Sequence, residues 1–219
     1  MSPDDESATP TRELPRLAVL FSGGGRTLEN LAQCTVDGSL AARIVLAISS
    51  HPEAGGMARA RGFGIPTEIC DFRRIGDGLS DAIDARLEHA AVDWVLLAGY
   101  LRHFRTGERW RGRALNIHPS LLPACGGKGF YGERVHRAVL ASRARTSGCT
   151  VHFVDDEYDH GPIILQRAVP VRPDDTVDSL AARVFAAECV AYPEALRLCL
   201  AGRVHVRDGG VSLSDAGPA

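Results

Sequence analysis

Asn116-Ile117-His118-Pro119-Ser120 places an amide and an imidazole two positions apart in a run that reads as the end of a strand. Side chains two apart in a strand leave the same face, roughly 6–7 Å from one another along the backbone. An amide N–H and an imidazole presented together make a donor pair able to stabilise an oxyanion. The alternative is a capping asparagine beside a hydrogen-bonded core histidine. Further on, Asp155-Asp156-Glu157-Tyr158-Asp159-His160 crowds four carboxylates into five positions. His152, Asp155, Asp159 and His160 are competent metal ligands by type. Their spacing matches no metal motif, however, and no metal is expected. Glu188 falls on the stripe Leu180, Val184, Glu188, spaced by four, and so on the apolar face of a helix. A carboxylate there needs a partner. Either a ligand ammonium group or an internal arginine such as Arg183 would serve.

The turn Ser22-Gly23-Gly24-Gly25-Arg26-Thr27 is the remaining chemical signal. Glycines between a strand and a helix let backbone N–H groups approach an anion, and the helix N-terminus adds partial positive charge. A Walker loop is excluded, because the chain's only lysine, Lys128, precedes Gly129 rather than Ser or Thr. A dinucleotide fingerprint is excluded too, since Leu28 stands where its third glycine belongs and the next strand ends Ser49-Ser50-His51 without an acid. What remains is a site for a single phosphate with Arg26 as an added cation, or a tight turn with no ligand.

These residues need a scaffold, and the apolar runs supply one. Leu17–Ser22, Arg43–Ser49, Pro66–Cys70, Trp94–Ala98 and Ala114–Ile117 are short and unalternating, as strands buried on both faces are. Helical patterns fall between them at about 27–33, 57–61 and 83–90, and again at 133–142. Cys149–Val154 and Pro162–Val171 are separated by seven residues, which suits an antiparallel pair. Asp175 is placed to cap a helix over 177–191, and Pro193 to begin a second short helix. The expected fold is α/β: a Rossmann-like, mostly parallel sheet with helices on both faces and an antiparallel C-terminal strand pair. One domain over residues 16–208 is expected between tails at 1–15 and 209–219.

Composition narrows the function classes. The 219 residues are 45% hydrophobic and 24% charged with a formal net charge of −2, values that exclude a disordered, collagenous or coiled-coil chain. A pI near 6.4 offers no basic footprint for nucleic acid or an anionic membrane. The longest apolar runs, about five residues, are too short to span a bilayer. The polar, acidic N-terminus lacks a secretory pattern. Six cysteines without a C-x-x-C suit free thiols in a reducing cytoplasm, so a cytoplasmic location is expected.

Taken together, VLFSGGGRTLENL, LAGYLRHF, LNIHPSLLP, SGCTVHFVDDEYDHGPIILQRAVPV and AARVFAAECVAYPEAL, in that order, resemble the phosphoribosylglycinamide formyltransferase family over about residues 16–206. The resemblance implies formyltetrahydrofolate as formyl donor, glycinamide ribonucleotide as acceptor, and a monomer or homodimer. By the same resemblance Asn116, His118 and Asp159 match the catalytic trio, with Asp159 orienting His118 and favouring its cationic form. The ribonucleotide phosphate is placed at Gly23, Gly24, Gly25, Arg26 and Thr27, and the substrate amine near Glu188. Folate is placed along Leu101, Arg102, His103 and Phe104 and along Val154, Asp155, Asp156 and Glu157.

Two departures stand out. The family's first loop usually reads serine-glycine-x-glycine-serine-asparagine, whereas Arg26-Thr27 occupies its last two positions here. The segment after Pro123, ACGGKGFYGERVH, is about five residues longer than the family's usual turn and carries Lys128. That lysine is expected either to reach an anion, the phosphate or the folate glutamate, or to sit solvated in a flexible loop. Rival functions are formyltetrahydrofolate hydrolysis and formyl transfer to an amino-sugar nucleotide. The hydrolase family carries an extra N-terminal domain, and about 15 residues precede the first strand here. Transfer-RNA formylation lacks its C-terminal basic domain, and a non-catalytic phosphate- or folate-binding module has no use for the whole trio.

Overall fold

The computed structural model describes residues 13–207 and 209–214. Along the chain, β1 (Arg16–Phe21), α1 (Arg26–Val36), β2 (Arg43–Ser49), α2 (Gly56–Gly62) and β3 (Thr67–Ile69) come first. Next are α3 (Phe72–Ile75), α4 (Leu79–His89), β4 (Trp94–Leu97), β5 (Ala114–His118) and α5 (Glu133–Ala141). The antiparallel pair β6 (Thr146–Phe153) and β7 (Ile163–Pro170), α6 (Val177–Leu200), β8 (Val204–Arg207) and β9 (Gly210–Leu213) complete the order.

Seven strands form one sheet in the order β3-β2-β1-β4-β5-β6-β7. The first five are parallel, β6 runs antiparallel to β5, and β7 antiparallel to β6. Its strands read as continuous apolar runs because both faces are covered. Leu17, Val19 and Phe21 meet the cluster formed with α1, α2, α5 and α6, whereas Ala18 and Leu20 meet the cluster built on Leu79, Ile83 and Leu87 of α4. On β5, Leu115 and Ile117 face the first cluster, so Asn116 and His118 leave the opposite side. The buried Tyr192 hydroxyl lies 3.1 Å from the Leu97 carbonyl and 3.0 Å from that of Leu115, tying α6 to the ends of β4 and β5.

Helix α6 corrects the expectation of two helices. It continues through Tyr192-Pro193 to Leu200. Pro193 has no N–H for the Cys189 carbonyl one turn back, and Asn30 Nδ2 on α1 donates to that carbonyl instead, at 3.0 Å. The helix starts with Thr176 as N-cap, in a reciprocal box with Ser179 at 3.0 and 3.1 Å. Asp175, expected as the cap, instead takes the Arg183 guanidinium at 2.6 and 2.8 Å.

The short α3 was not anticipated. Part of the segment expected as a tail from 209 also pairs, since β9 lies antiparallel to β8. The expectation for residues 1–12 and 215–219 lies outside the described residues.

Candidate active site

The parallel strands deliver their loops to one end of the sheet, where open α/β folds place ligands. After β1, Gly25 caps α1 in the left-handed region at φ 73, a conformation that side chains with a Cβ rarely hold. A Cβ there would lie 2.5 Å from Gly56 Cα. The start of α1 therefore abuts the start of α2 through bare backbone. Gly23, Gly24, Gly25, Arg26 and Thr27 all line a cavity of about 700 Å³ at this end of the sheet. The Arg26 guanidinium lies 4.2 Å from the Phe185 ring centroid on α6.

Asn116, His118 and Asp159 converge in the same cavity. Asn116 Nδ2 donates to Asp159 Oδ1 at 3.2 Å and lies 3.1 Å from His152 Nε2. His152 Nδ1 is 2.7 Å from the Phe153 carbonyl, which fixes that nitrogen as the donor and leaves Nε2 as the acceptor for Asn116. His118 Nδ1 is 3.3 Å from Asp159 Oδ2, and its Nε2 is 2.8 Å from the Cys125 carbonyl. Asp159 holds φ 56, a left-handed backbone for a residue with a side chain, and Oδ2 also accepts the Gly127 N–H at 2.9 Å. The longer loop thus folds back onto the trio rather than standing free.

The electrostatics differ in one respect from expectation. Burial pulls the His118 pKa below its ordinary value, outweighing Asp159, which works to raise it. Each ring nitrogen nevertheless faces an acceptor, an arrangement that only the doubly protonated ring satisfies in full, so burial and hydrogen bonding pull in opposite directions. Burial works to raise the Asp159 pKa, yet His118 and the Gly127 N–H are among the neighbours that outweigh it and hold the carboxyl low.

Across the cavity, Glu188 is buried on α6, and desolvation lifts its pKa to about 7 against a lowering pull from Arg26. Among the described residues it has no hydrogen bond or ion pair. Arg183, the internal partner considered from the sequence, is occupied by Asp175. Leu101, Arg102, His103 and Phe104 line the cavity too, together with Val154, Asp155 and Glu157. Asp156 does not; its carboxylate lies 3.4 Å from the Thr106 hydroxyl and its carbonyl 2.9 Å from His103 Nε2. The four residues weighed as metal ligands separate, because His160 turns outward to Asp155 at 2.8 Å while His152 and Asp159 face Asn116.

Lys128 also lines the cavity and makes no hydrogen bond or ion pair among the described residues. Sequence reasoning missed His152 as the orienting partner of Asn116, although the two stand opposite in the β5–β6 register. It missed Tyr100, Phe185 and His136 on the lining as well.

A strand-end amide and imidazole, a carboxylate bonded to both and a glycine turn thus share one cavity at the end of the sheet. Residues 15–196 match the formyl transferase family, and the chain belongs to it. Its similarities are specific: it is 44% identical over 208 residues to the chloroplastic phosphoribosylglycinamide formyltransferase of Vigna unguiculata, covering 90% of this chain and 65% of that protein. The trifunctional purine biosynthetic protein adenosine-3 of Gallus gallus is 42% identical over 199 residues, 89% of this chain and 19% of that protein. The chain thus spans just under two thirds of the first relative and about a fifth of the second. The crystal structure of glycinamide ribonucleotide transformylase 1 from Symbiobacterium toebii matches with a TM-score of 0.86 at 39% identity, over 92% of this chain and 95% of that one.

Proposed function

We propose that the chain moves a formyl group from formyltetrahydrofolate directly to the primary amine of glycinamide ribonucleotide, a step of purine synthesis. The observation that carries this reading is the convergence of Asn116, His118 and Asp159 in one cavity with the Gly23–Thr27 turn and Glu188. The turn and Arg26 take the phosphate, and Glu188, whose charge no other described residue neutralises by contact, takes the amine end of the acceptor. Formyltetrahydrofolate fits the other wall, where Tyr100 Oη and Arg102 Nε are buried without a hydrogen-bond partner and stand ready for a polar ring system. Lys128 reaches an anionic group of one ligand.

The amine lone pair forms the new C–N bond as the folate C–N bond breaks, and one proton passes from the attacking nitrogen to the departing one. Asn116 exchanges one of its two present acceptors for the formyl oxygen and stabilises the charge developing there. His118 exchanges the Cys125 carbonyl for the same oxygen, and Asp159 holds the ring and stabilises its cation. No nucleophilic side chain is required. Turnover of formyltetrahydrofolate should occur only when glycinamide ribonucleotide is added. Equal turnover without it would replace this reading with hydrolysis, and no turnover with it would remove the acceptor assignment.

A further inference from the structure

His136 belongs to neither the trio nor the glycine turn, yet it lines the same cavity. It sits on the buried face of α5 between Val135 and Val139 and is only 5% exposed. Its Nδ1 is shielded from solvent and has no hydrogen-bond partner, and no hydrogen bond joins the ring to any other described residue. Buried polar groups normally find partners. Nε2 also lacks a partner and, unlike Nδ1, is not shielded, so it is the nitrogen that a ligand atom in the cavity can reach. Because an orphaned N–H is rarer than an orphaned lone pair, Nδ1 is the bare nitrogen and Nε2–H the free donor.

Its surroundings say what kind of atom that is. Burial and the nearby His118 both push the His136 pKa down, and only Glu133, on the same helix, opposes them. A neutral ring suits an uncharged oxygen rather than a phosphate. Position narrows the source. Helix α5 packs against α6, and α6 against α1, on the first core cluster, the side of the sheet that carries Glu188 and the phosphate turn. Tyr100, Phe104 and Val154 pack on the second cluster, on the far side.

We propose that His136 is a specificity-determining contact for the acceptor, donating from Nε2 to an uncharged oxygen of that substrate, a sugar hydroxyl or the amide carbonyl. This deepens the reading above and rests on it. The folate donor does not share the contact.

Steady-state kinetics on three variants test the assignment. His136→Phe keeps the ring volume and removes both nitrogens; His136→Gln places an amide N–H near the Nε2 position; His136→Asn places one near Nδ1. The expected result is a KM for glycinamide ribonucleotide raised about tenfold or more in the Phe variant, with the KM for formyltetrahydrofolate within twofold. The Gln variant should stay within threefold of wild type, while Asn follows Phe. Equal rises in both Michaelis constants, or an acceptor KM unmoved by Phe, would overturn the proposal. If the Phe variant does not fold, the Gln and Asn pair decides, and equal or reversed effects would overturn it as well. Failure of the parent reading is distinguishable, because the wild-type protein would then show no transfer to the ribonucleotide at all.

Discussion

Replacing Glu188 by Gln should stabilise the ligand-free protein, and by an amount that grows with pH. The carboxyl is buried on α6 and its pKa stands at about 7 against an ordinary 4.5. Below pH 4.5 it is protonated in folded and unfolded chains alike, and the effect vanishes. Between 4.5 and 7 the folded chain keeps a proton that the unfolded chain has released, so stability falls as pH rises. Above 7 the whole effect is present, roughly 3 kcal/mol of unfavourable burial for the ionised form. Gln preserves the shape but carries no proton equilibrium, and any cost of burying its amide is the same at every pH. The gain of the variant over wild type should therefore increase by roughly 2–3 kcal/mol between pH 5 and pH 8. With a urea m-value near 2 kcal/mol/M, the gap between the two midpoints should widen by about 1 M over that range. Equilibrium urea unfolding at the two pH values reads this directly. A gap that stays constant with pH, or that widens toward acid, would show that Glu188 is not held in a desolvated, unpaired state.

Other outcomes follow from contacts described above. His118→Ala should lower kcat about 10²- to 10⁴-fold in the folded protein, and a near-normal rate would remove the residue from the chemistry. Asn30→Ala strands the Cys189 carbonyl beneath Pro193 and should cost about 1–3 kcal/mol in chemical unfolding, whereas unchanged stability would mean water serves that carbonyl equally well. Lys128→Ala should raise one Michaelis constant, for the ribonucleotide or for the folate, by about 5- to 20-fold through loss of a charge-assisted contact; if both constants are unchanged, the lysine is merely solvated.

The sheet was legible because its strands are covered on both sides and so carry unbroken apolar runs. Asn116 and His118 were legible because two-residue spacing at a strand end already fixes a common face. Glu188 betrayed itself by sitting in an apolar helical stripe, though its lack of a partner emerged only once Arg183 was seen on Asp175. What escaped reading depends on contacts distant in the chain. The passage of α6 through Pro193 relies on Asn30, which lies 159 positions before Cys189, and no local pattern announces it. His136 looks like any histidine on an amphipathic helix until α5 is packed against α6. The β8–β9 hairpin did leave a signal, the Asp208-Gly209 dipeptide between VHVR and GVSL, which the polar character of the segment obscured. Asp156 differs from its neighbours only in which way its loop turns it, and a run of acids cannot reveal that.

The division of the cavity by the plane of the sheet has an evolutionary corollary. On the proposed reading, the residues that would meet the acceptor hang from α1, α5 and α6, while those that would meet the donor hang from loops packed over α4. On that reading, the acceptor-facing wall can vary while the donor-facing wall is left undisturbed.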